Sequence, residues 1–124
     1  MNITEAKLKS IFTKAKDRKI AIIGDVMLDK YVYGTISRIS PEAPVPVVDI
    51  DKTEYRLGGA ANVANNIKAL NAEPVLIGVV GNDYDSKHYL DVMKMLGLSA
   101  AGIIKDSSRP TTAKTRVIAH SQHV

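Results

Sequence analysis

Leu8, Ile11, Phe12 and Ala15 recur at helical spacing while lysines take the other face, and Thr4 stands ahead of them as a cap. This predicts a leader helix running to about Lys16 and packed on the body. Lys19 to Ile23 is a short apolar run closed by Gly24, the pattern of a buried strand whose C-terminal end opens onto a loop. Residues 31–36 are rich in β-formers, and 45–50 follow a turn carrying Pro41, Pro44 and Pro46; together they read as a small accessory sheet. From Gly58 and Gly59 the chain is predicted to continue as a helix to Leu70, with Val63, Ile67 and Leu70 as its apolar stripe. Residues 74–81 form a second buried strand. Asp83 then caps a helix over about 85–96 that turns Tyr89, Val92, Met93 and Leu96 inward and stops at Gly97. Residues 102–104 and 112–119 are two further strands. The alternation predicts an α/β fold on a mostly parallel sheet, in one partial domain over residues 1–124 with no internal boundary. A last strand followed by so few residues leads us to expect a chain that stops in mid-fold.

Composition narrows the function classes. With 124 residues and 45% hydrophobic content, one core is the expectation. No run of ~18 apolar residues and no signal-like segment occur, so we expect a cytoplasmic protein with no membrane partner. The chain has no cysteine, and His88, His120 and His123 have no metal-ligand spacing, so no metal site is expected. The net charge of +4 comes from 17 basic residues set against 13 acidic ones, spread along the chain. With one Phe and no Trp, it lacks the interleaved aromatic and basic pattern of nucleic-acid readers. We therefore expect no nucleic-acid partner; a small phosphorylated ligand accounts for the charge equally well.

Gly24-Asp25-Val26-Met27-Leu28-Asp29 leaves the first predicted strand at the end where ligands sit in open parallel sheets. Asp25 and Asp29 there can take paired hydrogen bonds from vicinal sugar hydroxyls, or can simply cap a turn. In Leu57-Gly58-Gly59-Ala60-Ala61-Asn62-Val63-Ala64, two glycines and small residues let a ligand approach the backbone at a helix N-terminus, with Asn62 offering donor and acceptor one turn in. A tight helix–sheet turn fits the same residues, and the segment is not a Walker A loop. In Thr111-Thr112-Ala113-Lys114-Thr115-Arg116, strand alternation puts Lys114 and Arg116 on the face of Thr112, where they can converge on a phosphate or form a solvated outer face. His88 reads as a helix-surface residue, and His120 and His123 lie at the chain end.

The combination resembles the ribokinase-like (PfkB) sugar kinases over nearly the whole length, from about Lys19 to Val124. Residues 58–64, Gly-Gly-Ala-Ala-Asn-Val-Ala, look like that family's N-terminal signature. Tyr31-Val32-Tyr33-Gly34, Ser37-Arg38-Ile39-Ser40-Pro41-Glu42-Ala43-Pro44-Val45-Pro46, Arg109-Pro110-Thr111-Thr112 and Lys114-Thr115-Arg116-Val117 are similar to one branch, the bacterial kinases of D-glycero-β-D-manno-heptose 7-phosphate that supply heptose for lipopolysaccharide.

The resemblance implies the N-terminal portion of a three-layer fold with a small β lid, built from about 31–36 and 45–50 with a contribution from 112–119. It implies that Asp29 holds sugar hydroxyls, with Asn62 and the backbone of Gly58 and Gly59 completing the cradle and Asp25 as a second candidate. Arg116, with Lys114 beside it, would meet the phosphate of a sugar phosphate, and the lid would join two copies in a homo-oligomer. ATP and Mg belong to a C-terminal half with a catalytic Gly-Ala-Gly-Asp motif, which these 124 residues lack. The chain by itself is therefore expected to hold sugar without turning over, and no catalytic residue is assigned in it. A non-catalytic sugar-binding or dimerisation module is the alternative, as is a kinase of the same family acting on another sugar.

Overall fold

The computed structural model describes residues 3–16 and 18–121; His123 lies outside the described residues. The elements in chain order are α1 (Glu5–Ala15), β1 (Lys19–Ile23), β2 (Val26–Ile39), β3 (Pro46–Gly59), α2 (Ala60–Ala69), β4 (Glu73–Val80), α3 (Tyr84–Met95), β5 (Ile103–Lys105) and β6 (Ala113–Ser121). They form two sheets. One is parallel, in the order β1-β4-β5; the other runs β3-β2-β6, with β3 antiparallel and β6 parallel to β2.

In the parallel sheet, alternation decides which side is covered. Leu76, Gly78 and Val80 of β4 are buried beneath α2 and α3, where they meet Ala61, Ala64, Tyr89 and Met93. A fully buried Leu or Met side chain contributes about 1.5–3 kcal/mol, so this face anchors the fold. The other face carries Ile23, 78% exposed, and Ile104, 58% exposed. Of the three layers expected, the described residues thus form one sheet and one covering helix layer. The leader helix α1 does form, with Thr4 Oγ1 accepting from Lys7 N at 3.3 Å, but none of its residues is buried, contrary to the expectation that it packs on the body.

The inward face of α2 also differs from expectation. Val63 and Leu70, two of the three members of the anticipated stripe, are 48% and 51% exposed and Ile67 is half-buried, whereas Ala61 and Ala64 are fully buried. The helix face turned to the sheet is thus centred on its small residues, which permits close packing there. In α3, Tyr89 and Met93 are buried as expected, while Leu96 is 38% exposed. Nor is His88 a free surface residue: it stacks on Tyr55 at 4.1 Å and meets the edge of Tyr84 at 4.4 Å.

Tyr89 is fully buried, its hydroxyl has no hydrogen-bond partner among the described residues, and burial pushes its pKa up. An unsatisfied buried hydroxyl costs about 1–3 kcal/mol. Tyr89→Phe should therefore leave stability unchanged or raise it by about 1 kcal/mol in urea unfolding; a loss would show that the hydroxyl has a partner.

Residues 31–36 lie within β2 and 46–50 within β3, with Val45 just ahead of it; both strands are 14 residues long and pair with register shifts at Tyr33/Gly34 and Ile36/Arg38. This lid is tied to the body through Asp83. Its Oδ1 accepts from Ser86 N at 2.9 Å, capping α3, and from Thr111 Oγ1 at 2.7 Å; Oδ2 accepts from Thr111 N at 2.7 Å. Thr111 Oγ1 in turn accepts from Gly81 N at 2.9 Å, so the segment entering β6 is clasped to the end of β4.

The hydrogen bonds from Thr111, then that from Ser86, lower the Asp83 pKa to about 2. A folded pKa below the unfolded value of about 3.9 means that the clasp stabilises fully above about pH 4 and is lost as pH falls through about 2. Asp83→Asn should lower stability at neutral pH and flatten the acid limb between those limits in urea melts at stepped pH. An unchanged limb would assign the acid sensitivity elsewhere.

Candidate functional site

The two central carboxylates do not share a loop. Only Gly24 and Asp25 separate β1 from β2, and from Val26 onward alternation turns Val26 and Leu28 into the core and Asp29 to the opposite face. The expectation that residues 24–29 form an exit loop fails because Val26 and Leu28 gain burial only by entering the lid strand. Asp25 stays in the short connection, where it lines a crevice of ≈ 270 Å³ with Ile77, Gly78, Ile104 and Arg109.

Register places Asp29 opposite Arg56 of β3 and Lys114 of β6, and the next residue on that face, Tyr31, opposite Glu54 and Arg116. Asp29 is thereby surrounded by cations. Its side chain is 18% exposed, and Arg116 Nη1 stands 3.5 Å from Oδ1. That separation is an ion-pair distance without hydrogen-bond geometry, so Oδ1 is buried with no hydrogen-bond partner among the described residues. A buried carboxylate oxygen left in this state is costly and can accept from a ligand's hydroxyls.

The adjacent glycines clear the space around it. Gly58 pairs with Met27, and a Cβ there would lie 2.6 Å from Met27 Cγ and 2.9 Å from Asp29 Oδ2. Gly59 has φ +60°, and a Cβ on it would run into the Asp25 carbonyl oxygen. That same oxygen accepts from Ala60 N at 2.8 Å, so Asp25 contributes its backbone to the start of α2. The helix was expected to begin at Gly58; instead Gly58 and Gly59 end β3, and α2 opens at Ala60 with no side-chain cap.

Asn62 lies within the first turn of α2 and lines a groove of ≈ 380 Å³ with Tyr55, Arg56, Leu57, Asn65 and Val92. Among the described residues no hydrogen bond joins it to Asp29 or Arg116. The structure thus brings Asp29, Gly58, Lys114 and Arg116 to one place, sets Gly59 and the Asp25 backbone beneath it, and leaves Asn62 and the Asp25 carboxylate to one side.

Two contributors escaped the sequence reading. Arg116 Nη1 donates to the Tyr31 hydroxyl at 2.9 Å, and Arg56 Nη2 donates to Glu54 Oε2 at 3.2 Å while its Cζ lies 4.6 Å from the Tyr31 ring centre. The bond to Glu54 raises the Arg56 pKa, and Lys52 followed by Arg56 lowers that of Glu54. Tyr31 stands two residues after Asp29, and Arg56 two before Gly58. Strand alternation was the signal that could have found both, had β2 and β3 been drawn at full length. Among the described residues, no group of three or more His, Cys, Asp or Glu could hold a metal ion.

The sequence pattern described as pfkB family carbohydrate kinase matches residues 17–123. The chain is similar to the Bifunctional protein HldE of Helicobacter pylori strain J99, 48% identical over 107 residues that make up 86% of this chain and 23% of that protein. It is also similar to the Bifunctional protein HldE of Geotalea uraniireducens strain Rf4, 42% identical over 118 residues, 95% of this chain and 24% of that one. The chain therefore spans about a quarter of the length of these curated relatives. Among solved structures, a carbohydrate kinase from Agrobacterium tumefaciens superposes with a TM-score of 0.65 at 19% identity, covering 82% of this chain and 32% of that one. The nucleoside kinase of Methanocaldococcus jannaschii, described as an archaeal member of the ribokinase family, does so with a TM-score of 0.60 at 23% identity, covering 86% and 34%. These two likenesses establish the fold. No helix among the described residues is long and apolar enough to cross a membrane.

Proposed function

This chain belongs to the pfkB carbohydrate kinase family, and from that premise we propose that it supplies the sugar-binding part of a kinase acting on D-glycero-β-D-manno-heptose 7-phosphate at the anomeric hydroxyl. The observation that carries the reading is Asp29 Oδ1, buried and unbonded, on a strand face that also presents Arg116 and Lys114. One carboxylate for hydroxyls and cations for an existing phosphate match a substrate that carries both. The similarity to the HldE proteins favours a heptose over other sugars of the family.

In this reading Asp29 and the backbone at Gly58 hold the ring, and Arg116 and Lys114 meet its phosphate. Asp25 and Asn62 border the cradle and contact the sugar only if the lid closes further over the body. The family's ATP and Mg find no cradle here, since the described residues offer no acidic metal cluster and the sequence no Gly-Ala-Gly-Asp; no transfer step is assigned to these side chains. These 124 residues alone should bind and not transfer. The distal lid face, where Val32 pairs with Val117 and Gly34 with Ile50, leaves Ile50 65% and Val117 58% exposed. We assign that face to contact with a second copy.

Calorimetric titration tests the reading. Heptose 7-phosphate should bind more tightly than ribose or fructose 6-phosphate, and MgATP should yield no turnover from these residues alone. Equal affinity for the three sugars would replace the heptose kinase by a family member of other specificity. Turnover would overturn the division of labour.

A further inference from the structure

Between its N-cap, Asp83, and its second turn, α3 reaches all three strands of the lid. Asp83 holds Thr111, just ahead of β6, through the clasp described above. Asp85 takes Lys30 of β2 in an ion pair at 2.5 Å, with the two side chains only 22% and 23% exposed. His88 lies flat on Tyr55 of β3, the rings 4.1 Å apart and 10° from parallel, and the edge of Tyr84 backs it at 4.4 Å. Lys30 and Tyr55 are register partners, so the second and third contacts grip one rung of the β2–β3 pair. That rung adjoins Asp29, which alternation turns to the opposite face.

Packing alone does not account for these contacts. A largely buried ion pair gives up hydration at both ends, and apolar side chains of the same size would fill the space without that cost. What the pair adds is direction. Asp85 sits in the first turn of α3, where the helix dipole favours a carboxylate, and so gives Lys30 a fixed target. His88 carries a similar mark. Its Nε2 is buried with no hydrogen-bond partner among the described residues, so the ring is held through its face and edge by two tyrosines. A flat stack resists separation while tolerating sliding in its own plane, whereas the paired hydrogen bonds from Thr111 to Asp83 tolerate neither. The lid is therefore pinned at β6 and steadied at β2 and β3.

We propose that Asp85 and His88 are positioning residues for Asp29: from the far side of the sheet they fix the pose in which the lid presents that carboxylate. This rests on reading Asp29 as the sugar contact. The first half of α3 is then a bracket for the lid, and loosening it weakens sugar binding without removing any group that touches sugar.

The test uses the protein at its full natural length and two probes titrated separately, D-glycero-β-D-manno-heptose 7-phosphate and the ATP analogue AMP-PNP. Amide hydrogen exchange of β3 relative to β4 is followed without either probe. His88→Ala should speed exchange in β3 and weaken heptose 7-phosphate about 3- to 10-fold, with AMP-PNP affinity unchanged. His88→Phe keeps a flat ring and should restore both readouts. Asp85→Asn should shift them as His88→Ala does, and it carries the comparison if the alanine variant melts early. Unchanged sugar affinity in His88→Ala and Asp85→Asn overturns the positioning role, whatever the exchange shows. Equal weakening of both probes overturns it too, since a general support would act on both. Failure of His88→Phe to restore binding would assign the effect to the imidazole and refute the stack. If the unsubstituted protein binds no heptose 7-phosphate, the sugar reading fails and the positioning role with it, while faster exchange in His88→Ala would still uphold the bracket.

Discussion

Asp29→Asn is expected to weaken heptose 7-phosphate binding by about 1.5–3 kcal/mol, ten-fold to more than a hundred-fold, while leaving the fold intact. The substitution keeps size and shape but removes the charge, and it replaces one acceptor oxygen by an amide donor. Asp29 Oδ1 has no hydrogen-bond partner among the described residues, so no internal bond is lost with it. The 3.5 Å approach of Arg116 is a partly exposed pair whose contribution to stability is about 1 kcal/mol or less. The effect should therefore appear in titration and hardly in the melt. Unchanged affinity would move the hydroxyl contacts to Asp25, whose carboxylate borders the neighbouring crevice. A large fall in melting temperature would make Asp29 a structural residue.

Gly59→Ala should be severely destabilising, lowering stability by about 2–4 kcal/mol. At φ +60° and ψ −136° the backbone occupies a region that side chains other than hydrogen scarcely enter, and the added carbon would meet the Asp25 carbonyl that receives Ala60 N. Relief by backbone movement would break that bond. For a domain of this size the loss corresponds to a fall of roughly 10 °C or more in melting temperature. Gly58→Ala makes the contrast: its new carbon meets the side chains of Met27 and Asp29, which can move, so sugar affinity should fall more than stability. Equal effects of the two substitutions on the melt would refute this separation.

Much of the body is legible in the residue pattern because local signals there agree with tertiary packing. Asp83 caps α3 and Gly97 follows it at φ +63°, as its sequence position implies. The lid is less legible. Asp49, Asp51, Lys52, Glu54 and Arg56 interrupt the apolar alternation that marks a half-buried strand, and only pairing with β2 makes the segment a strand. The orientation of α2 is hidden for another reason. Large apolar residues dominate its periodicity, but it is Ala61 and Ala64 that the helix turns to the inside, against the core around Leu76 and Val80. As for the site, Asp29, the glycine pair and Arg116 could be named from local motifs and family resemblance. Tyr31 and Arg56 carry no such local motif; only alternation followed along the full strands, together with the register between β2 and β3, places them there.

The three strands of the lid enter it along a single line. Ala60 N bonds to Asp25 O where β2 and β3 meet the body, and Leu28 N bonds to Thr112 O where β6 arrives. Asp29, Arg56 and Arg116 all lie beyond that line, on one sheet. Flexing along it changes how far they stand from the body without changing how far they stand from one another. On the proposed sugar-phosphate reading, the span from the hydroxyl contact at Asp29 to the phosphate contact at Arg116 would be set within one sheet, so substrate length would be judged independently of closure.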